Sequence, residues 1–256
     1  MCRHLAYLGA PATVRSVVIE PPHGLYTQAW APRLQRHGTV NADGYGVGWY
    51  VPDEPVPARY RRTGPIWADE SFADVARVTR SGAMLAAVRC ATAGTDLGEA
   101  AVPPFKSGPW LFSHNGVIEG WPGSVTGLAA TLPADLLLDL AARVDSALAW
   151  ALVLHRLRVG LAPAEALADT IEALRAAGVG GRFNFLLTDG RVIAATAAGD
   201  TLFYRSAGLG AGVVVASEPG DDEPGWTEVP GGSVITATPY EVSVVALATD
   251  GRIAIS

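Results

Sequence analysis

Cys2 is the first residue of this chain whose type and position could do chemistry. It directly follows the initiator methionine, so removal of Met1 leaves a thiol and a free α-amine on one residue. An α-amine titrates near pH ~7.7–8.0 and a cysteine thiol near ~8.5, so the amine can accept the thiol proton without a histidine. By position alone, a cysteine at the head of a strand is more typical of a small buried residue. Further motifs must decide between the two interpretations.

Two short apolar runs each lead into polar residues. Residues 84–88 precede Arg89-Cys90-Ala91-Thr92-Ala93-Gly94, and residues 110–112 precede Ser113-His114-Asn115-Gly116. Each run is predicted as a short buried strand that presents polar residues and a glycine at its end, where scaffolds commonly hold sites. Asn115-Gly116 alone indicates a hairpin turn. Beside a scissile carbonyl, the same pair could offer a side-chain amide and a backbone N–H to a developing negative charge.

The elements that must position these residues begin with strands. Residues 2–9 are predicted as a strand that Gly9-Ala10-Pro11 closes, and residues 58–64 as a return strand. Between them, residues 41–50 combine a turn with a strand in which every second residue from 44 to 48 is glycine. One face of that strand therefore lacks side chains and can admit a close backbone or a ligand.

Helices are predicted for the middle of the chain. Residues 134–159 form two helical pieces, interrupted at Asp145-Ser146, where either residue could cap the second piece. A further helix covers about residues 163–177 and ends at Gly178. A shorter helix over residues 68–80 is expected to turn these residues toward the core: Phe72, Val75, Ala76 and Val78.

The last quarter of the chain is predicted as hairpins. The strands cover residues 183–188, 192–196, 201–205, 212–217 and 233–238, followed by a final hairpin around Asp250-Gly251. Strands, a helical middle and more strands favour an α+β sandwich in which helices cover stacked antiparallel sheets. No linker or repeat divides the chain, so one domain over residues 1–256 is expected.

The composition limits the possible partners. Of the 256 residues, 49% are apolar and 17% charged, which is typical of a folded globular protein. The net charge is −6 and Lys106 is the single lysine, which argues against nucleic-acid binding. Arg59, Arg61 and Arg62 indicate the solvated face of a strand more than a phosphate groove. No apolar run approaches the ~18–20 residues of a membrane span, so we expect a cytoplasmic protein.

The motifs together resemble a known family. Cys2 behind Met1, Val88 to Gly94, Ser113 to Ile118 and Asp145-Ser146 are similar in order and spacing to the glutaminase domains of class II glutamine amidotransferases. Those domains are N-terminal nucleophile hydrolases, which implies a four-layer αββα sandwich. Residues 41–50, 183–190 and 216–226 look like the stand-alone branch of this family. Within that branch, the whole chain is most similar to the amidohydrolases that remove glutamate from γ-glutamyl hercynylcysteine sulfoxide in ergothioneine biosynthesis.

The resemblance gives each candidate residue a role. Asn115 and Gly116 would stabilise the oxyanion, each donor contributing about 2.7–4 kcal/mol. Arg89, with Thr92 as a second donor, would bind a ligand α-carboxylate, and Asp145 an α-ammonium. An arginine and a carboxylate together select a γ-glutamyl unit with both α-groups free. The structural alternatives are a surface arginine at a strand end and an ordinary helix N-cap.

Other residues near these motifs leave alternatives open. His114 could form a papain-like pair with Cys2, but the amine already supplies a base, so His114 is expected to brace the loop. The chain departs from the usual family pattern at Cys90, Ala93 and Ala147, which affects the leaving-group side. Cys90 is interpreted as a buried structural thiol, which could form an inactivating disulfide if it lay near Cys2.

The main hypothesis is an amidohydrolase without metal or cofactor that acts on a small γ-glutamyl substrate. The alternatives are a glutaminase that supplies ammonia to a separate synthase and a γ-glutamyl-binding module without turnover. The resemblance implies a trimethylammonium betaine on the leaving fragment, which prefers an aromatic face. The candidates for that face are Tyr45, Trp49, Trp67, Trp110 and Trp121. The sequence leaves the oligomeric state open.

Overall fold

The fold is built on two antiparallel sheets in a computed structural model that describes residues 2–92, 94–208 and 210–247. The strands, in chain order, are β1 Arg3–Thr13, β2 Tyr45–Trp49, β3 Ala58–Arg62, β4 Arg80–Val88, β5 Phe105–Ser107, β6 Trp110–Ile118, β7 Gly181–Thr188, β8 Ile193–Ala197, β9 Phe203–Ser206, β10 Gly212–Ala216, β11 Thr227–Glu228, β12 Ser233–Ala237 and β13 Val242–Ala246. The α-helices are α1 Leu25–Gln28, α2 Glu70–Val78, α3 Thr126–Ala129, α4 Ala134–Leu138, α5 Asp145–Arg158 and α6 Pro163–Ala176.

The strand order places the chemistry-bearing segments side by side. One sheet has the order β11-β9-β10-β1-β4-β2-β3 and the other has the order β13-β12-β8-β7-β6-β5. Arg3 pairs with Val88 across β1 and β4, so Cys2 lies beside the point where β4 ends and Arg89 follows. The predicted position of Arg89 at a strand end is confirmed.

Helices cover the outer faces of both sheets, so the molecule has four layers. Leu8 of β1 and Leu111 of β6 meet in the core between the sheets. Leu5, on the opposite face of β1, packs with α1 and α2. Helices α5 and α6 cover the second sheet through residues such as Leu152 and Leu167. The predicted αββα sandwich of an α+β fold is confirmed. Because side chains alternate along a strand, Cys2 falls on the same inter-sheet face as Leu8.

The predicted helices are largely confirmed. The 134–159 segment forms two pieces, α4 and α5, and α6 is followed by Gly178 with φ of 71°. Helix α2 begins after Asp69, whose side chain caps it by accepting from the Phe72 N–H. Phe72 and Ala76 are buried, but Val78 is 63% exposed. The expectation that Val78 faces the core is therefore wrong, because it lies at the last turn, beyond the buried stripe.

Two strands continue past the points where the sequence predicted an end. β1 runs through Gly9-Ala10-Pro11 to Thr13, with a change of register between Leu8 and Ala12 that accommodates this segment against β4. β6 runs through Ser113-His114-Asn115-Gly116 to Ile118, paired with β7 from Leu111 onward. The expectation that the polar residues follow the end of this strand is wrong, and Asn115-Gly116 is not a turn.

Other sequence expectations have mixed outcomes. The alternating glycines of β2 lie against Val102, Pro103 and Leu111, so a close backbone and packed side chains fill that face. Arg59 and Arg61 are half-buried, while Arg62 is exposed as predicted. The predicted hairpin around Asp250-Gly251 lies outside the described residues. Within the described ranges, no helix combines the length and the apolar character needed to cross a membrane.

Candidate active site

Six of the seven predicted site residues line one small chamber. Its lining includes Cys2, Arg89, Thr92, His114, Gly116 and Asp145. They arrive from the start of β1, the end of β4, the middle of β6 and the start of α5. The chamber measures about 20 Å³ and adjoins a cleft of about 640 Å³, with which it shares Thr92, Thr95 and Asp145. A ligand can therefore extend from the thiol into the cleft.

The Cys2 thiol is not activated by its surroundings alone. Burial is the largest influence and raises the pKa of the Cys2 thiol. The charge of the amino terminus, a hydrogen bond from the Cys90 backbone and the charge of Arg89 act in the opposite direction but do not outweigh burial. Because the thiolate is the nucleophile, the thiol needs a nearby proton acceptor to react at neutral pH.

Arg89 has an unused donor in the chamber. The side chain is 5% exposed, and its Nη2 donates to the Asp96 carbonyl oxygen at 2.7 Å and to Thr95 Oγ1 at 3.5 Å. Its Nη1 is buried and has no hydrogen-bond partner among the described residues. An unpaired buried donor costs about 1–3 kcal/mol, so the guanidinium is prepared for an anionic ligand group. Arg89 is thus not the surface arginine of the structural alternative.

The Gly116 N–H points away from β7, toward the edge of β6 that β5 leaves uncovered. β5 pairs with β6 only up to Phe112. Further along, Ile118 N–H donates across this edge to Asp145 Oδ2 at 3.0 Å. N–H groups alternate in direction along an antiparallel strand, so Gly116, two residues earlier, faces the same way as Ile118. The Gly116 N–H, which is predicted to donate to the oxyanion, therefore faces the uncovered edge of β6, and Gly116 lines the chamber together with Cys2.

The Asn115 side chain is buried, with weak local partners. Its Nδ2 lies 3.5 Å from Ser217 Oγ, and its Oδ1 has no partner among the described residues. Ser217 Oγ also accepts from the His4 N–H at 3.0 Å. Asn115 itself is not among the chamber's lining residues. The structure thus brings Asn115 next to Gly116 on β6, with Ser217 holding its amide, a support that the sequence did not predict.

Asp145 joins the start of α5 to β6. Its Oδ1 accepts from the Ser146 N–H at 2.7 Å, and its Oδ2 takes the Ile118 hydrogen bond. The N-cap position of α5 belongs to Val144, so Asp145 is not an ordinary N-cap. Two carboxylate oxygens accept about four hydrogen bonds, which leaves capacity for a ligand ammonium beside the two backbone donors.

His114 is held by two other elements. Its Nε2 lies 2.9 Å from the Arg182 carbonyl oxygen on β7, and its Nδ1 lies 3.2 Å from Ser146 Oγ at the start of α5. Because a carbonyl only accepts, Nε2 carries the proton, and Nδ1 faces the serine hydroxyl. Both ring nitrogens are used between β7 and α5, which supports the bracing interpretation over a papain-like pair.

Buried polar residues that the sequence did not identify support the start of β1. Arg3 Nε lies 3.0 Å from Glu218 Oε1, and both side chains are 1% exposed. Glu218 Oε2 accepts from the backbone N–H of Arg33 and Leu34. Burial, followed by the charges of His114 and Arg3, lowers the pKa of His4 to about 3. The polar residues after β10, Ser217 and Glu218, were a usable signal, since two buried polar side chains require partners.

The cleft of about 640 Å³, here called the outer cleft, is lined by one of the aromatic candidates for cation binding. Asp96, Glu119, Trp121 and Arg143 line it, and Trp121 is the one aromatic candidate among its lining residues. The others lie elsewhere: Tyr45 is buried and donates to Asp69, Trp67 packs on Trp30, Trp49 packs in the α1 and α2 layer, and Trp110 packs in the α5 layer.

Of the departures from the family pattern, Cys90 lies at the chamber. Cys90 is half-buried and lines the chamber with Cys2, and both cysteines are free. Ala147 is on the buried face of α5, and Ala93 lies outside the described residues. Within the described ranges, no group of three or more His, Cys, Asp or Glu side chains could hold a metal ion.

Comparisons with known proteins agree with this geometry. Residues 25–208 match the family of class II glutamine amidotransferases. The chain is 43% identical to the γ-glutamyl-hercynylcysteine sulfoxide hydrolase of Mycobacterium tuberculosis, over 96% of this chain and 97% of that protein. The protein of that name from Mycolicibacterium smegmatis is 41% identical, over 96% of this chain and 100% of that protein. A solved glutamine aminotransferase class-II domain protein from Silicibacter pomeroyi is 25% identical with a TM-score of 0.70, covering 96% of this chain and 100% of that one.

Proposed function

Because the chain belongs to the class II glutamine amidotransferases, we propose that it hydrolyses γ-glutamyl hercynylcysteine sulfoxide through Cys2. The observation that carries the proposal is the chamber in which Cys2, the unpartnered Arg89 Nη1 and Gly116 meet. The substrate is supported by two relatives, 43% and 41% identical over nearly their whole length, that are named hydrolases of this compound. The expected cytoplasmic location and single domain stay predictions.

The first half of the reaction forms a thioester. After removal of Met1, the Cys2 α-amine accepts the thiol proton, and Sγ attacks the γ-carbonyl carbon of the substrate. The amine is needed because burial raises the pKa of the thiol. Negative charge develops on the carbonyl oxygen, and the Gly116 N–H and the Asn115 side-chain amide stabilise it. The protonated amine then donates its proton to the leaving nitrogen as the C–N bond breaks.

The second half releases glutamate. Water attacks the thioester carbonyl, and the amine accepts a proton from that water. As the C–S bond breaks, the protonated amine returns this proton to the Cys2 sulfur, which restores the thiol and the free amine. Throughout both halves, Arg89 binds the α-carboxylate of the glutamyl unit, and Asp145 accepts from its α-ammonium. Thr92, which is exposed at the junction of chamber and cleft, offers a further donor to the carboxylate.

The outer cleft is proposed to bind the leaving fragment. Three carboxylates, those of Asp96, Glu119 and Asp145, and one guanidinium, that of Arg143, line it. An acidic cleft with a tryptophan suits a trimethylammonium group, which gains about 0.5–2 kcal/mol from an aromatic face. Trp121 is therefore assigned to the cation, and Arg143 to a carboxylate of the betaine.

Replacing each cysteine in turn tests the mechanism. Cys2→Ala should abolish glutamate release while it still binds the γ-glutamyl substrate, which calorimetry would measure. Cys90→Ala is the matched control, because it removes the neighbouring thiol and keeps the nucleophile. Intact mass should show loss of Met1 and, after rapid quenching, a γ-glutamyl adduct on the wild-type protein. Turnover by Cys2→Ala would contradict the proposal.

Two other functions predict different results in the same assays. A glutaminase serving a separate synthase should release glutamate from glutamine as efficiently as from a γ-glutamyl thioether sulfoxide. A binding module should bind both compounds without turnover in the wild-type protein, and it should retain Met1. The proposed hydrolase should prefer the thioether sulfoxide, because only that compound fills the outer cleft.

A further inference from the structure

A second cavity lies where the edges of the two sheets meet. β3 ends one sheet and β5 ends the other. The cavity between them, here called the edge pocket, measures about 250 Å³. Phe105 lines both the edge pocket and the Cys2 chamber, so the two spaces lie on opposite sides of this side chain. Phe105 is the one lining residue that the edge pocket shares with the chamber, and the edge pocket shares none with the outer cleft.

Four basic residues line the edge pocket, and three of them, Arg59, Arg61 and Lys106, belong to β3 and β5. Tyr60 stacks on Phe72 in the helix layer, so Arg59 and Arg61, its neighbours on β3, point the opposite way, toward β5. Arg59 Nη1 donates to the Pro104 carbonyl oxygen at 2.9 Å, and Arg61 Nη1 to that of Val102 at 3.2 Å. Lys106 Nζ reaches back from β5 to the Pro57 carbonyl oxygen at 3.2 Å.

These cations have carbonyl partners but no carboxylate partner in the described parts of the chain. The acidic groups nearby lie closer to other arginines: Glu99 lies 3.7 Å from Arg62, and Asp135 lies 2.7 Å from Arg158. The charge of Glu99 still favours the charged forms of Arg59 and Arg61, but its carboxylate makes no ion pair with either. Asp139 is the one acidic residue among those that line the pocket. Burial and the charge of Arg61 lower the pKa of Arg59 to about 10. The chain as a whole is acidic, with a net charge of −6 and one lysine. A cluster of three cations at one pocket is therefore unusual for this chain.

The opposite wall of the edge pocket is mainly apolar; its charged residues are Asp139 and Arg158, and Arg158 pairs with Asp135. Leu136 of α4 and Trp150, Ala151 and Leu154 of α5 line it. Trp150 is stacked on Phe112 and is therefore fixed in place. Donors on one wall and a rigid apolar surface on the other are the usual composition of a small-molecule site.

We propose that the edge pocket binds a small organic oxyanion, that is, a phosphate or carboxylate group on an apolar body about the size of one ring. The oxyanion replaces the missing carboxylate partner of Arg59, Arg61 and Lys106, and the apolar body lies against Trp150. This site is separate from the Cys2 chamber and does not depend on the proposed hydrolase activity.

Calorimetry with the full chain tests the site. Phenyl phosphate and benzoate are the probes, with phenol as the neutral analogue and inorganic phosphate as the anion without a ring. One of the two ring anions should bind at one site per chain, more tightly than phenol or inorganic phosphate, and the tighter one identifies the headgroup. Arg61→Gln and Lys106→Gln should each weaken that binding about tenfold or more, since each removes a charged hydrogen bond.

Two matched variants locate the binding. Arg62→Gln, an exposed arginine on the same strand, should keep the affinity within about twofold. Arg89→Gln should also keep it, because Arg89 belongs to the Cys2 chamber. Equal affinity in Arg61→Gln and the wild-type protein, or loss of binding in Arg89→Gln, would overturn the proposal, as would no binding of either ring anion. The two edge-pocket variants act independently, so misfolding of one, seen as a lowered Tm, leaves the other as the test.

Discussion

Replacing Arg89 by methionine should separate ligand recognition from stability. In the free protein, Arg89 makes one short hydrogen bond, to Asp96, and leaves Nη1 buried without a partner. A hydrogen bond to a charged group contributes about 1.5–3 kcal/mol, and an unpaired buried donor costs about 1–3 kcal/mol. The two effects nearly cancel, so Arg89→Met should change the free energy of unfolding by less than about 1.5 kcal/mol.

The effect on catalysis should be much larger. With substrate bound, the variant leaves a buried α-carboxylate without its cation, a loss of about 2–5 kcal/mol. Taking about 3 kcal/mol, kcat/KM should fall by about 100-fold. Glutamate release measures this loss, and urea denaturation measures the change in stability. Arg62→Met, at an exposed arginine on β3, is the control and should change neither quantity appreciably.

A modified substrate sharpens the test. A γ-aminobutyryl amide lacks the α-carboxylate, so the wild-type protein should process it about 100-fold less efficiently than the γ-glutamyl substrate. Arg89→Met should process the two compounds about equally, because the group that distinguishes them has been removed. If the variant still discriminated as the wild type does, Arg89 would not bind the α-carboxylate.

Three further outcomes follow from the structure. Gly116→Ala should lower the unfolding free energy by about 1–3 kcal/mol in urea denaturation, because the added Cβ would meet the Arg182 carbonyl oxygen, whereas Gly123→Ala, with open space around it, should be tolerated. His4→Gln should flatten the acid side of the plot of unfolding free energy against pH. Because the His4 pKa is about 3 in the folded state, the unfolded wild-type chain binds the extra proton, and stability is lost as pH falls from ~6.5, by roughly 3 kcal/mol at pH 4. The same slope in the variant and in the wild-type protein would argue against this. Trp121→Leu should raise KM about 3- to 30-fold for a trimethylammonium substrate but less for a neutral analogue, with Trp67→Leu as the control; equal effects on both compounds would remove Trp121 from cation binding.

The site residues could be predicted because their types carry the chemistry. Cys2, Arg89, Thr92 and Asp145 stand in the motifs that suggested them, and all four line one chamber. Helices α5 and α6 were predictable for a different reason, since their apolar periodicity, the interruption at Asp145 and the glycine after α6 are local signals. Such signals need no knowledge of what lies across the fold.

The course of β1 and β6 was not predictable from local signals. Gly9-Ala10-Pro11 and Asn115-Gly116 each favour a turn on their own. In the fold, pairing with β4 and β7 keeps both segments extended, and these partners are far away in the sequence. The polar residues Ser217 and Glu218 signal that partners are needed, but local signals do not identify His4, 213 residues away, as the partner of Ser217. The short strands β11 and β13 gave no clear pattern.

The Cys2 chamber and the outer cleft are built from different kinds of structure, and this difference affects how the sequence of such a protein can change in evolution. Cys2 directly precedes β1 and Gly116 lies on β6. Adding or deleting one residue within a strand would turn every later side chain to the other face. Asp96, Trp121 and Arg143 lie between elements, where changes of length are tolerated. The acyl chemistry is thereby kept constant while the amine that is released can vary. New specificities within this architecture should arise by remodelling residues 94–98 and 119–122, with the sheet left untouched.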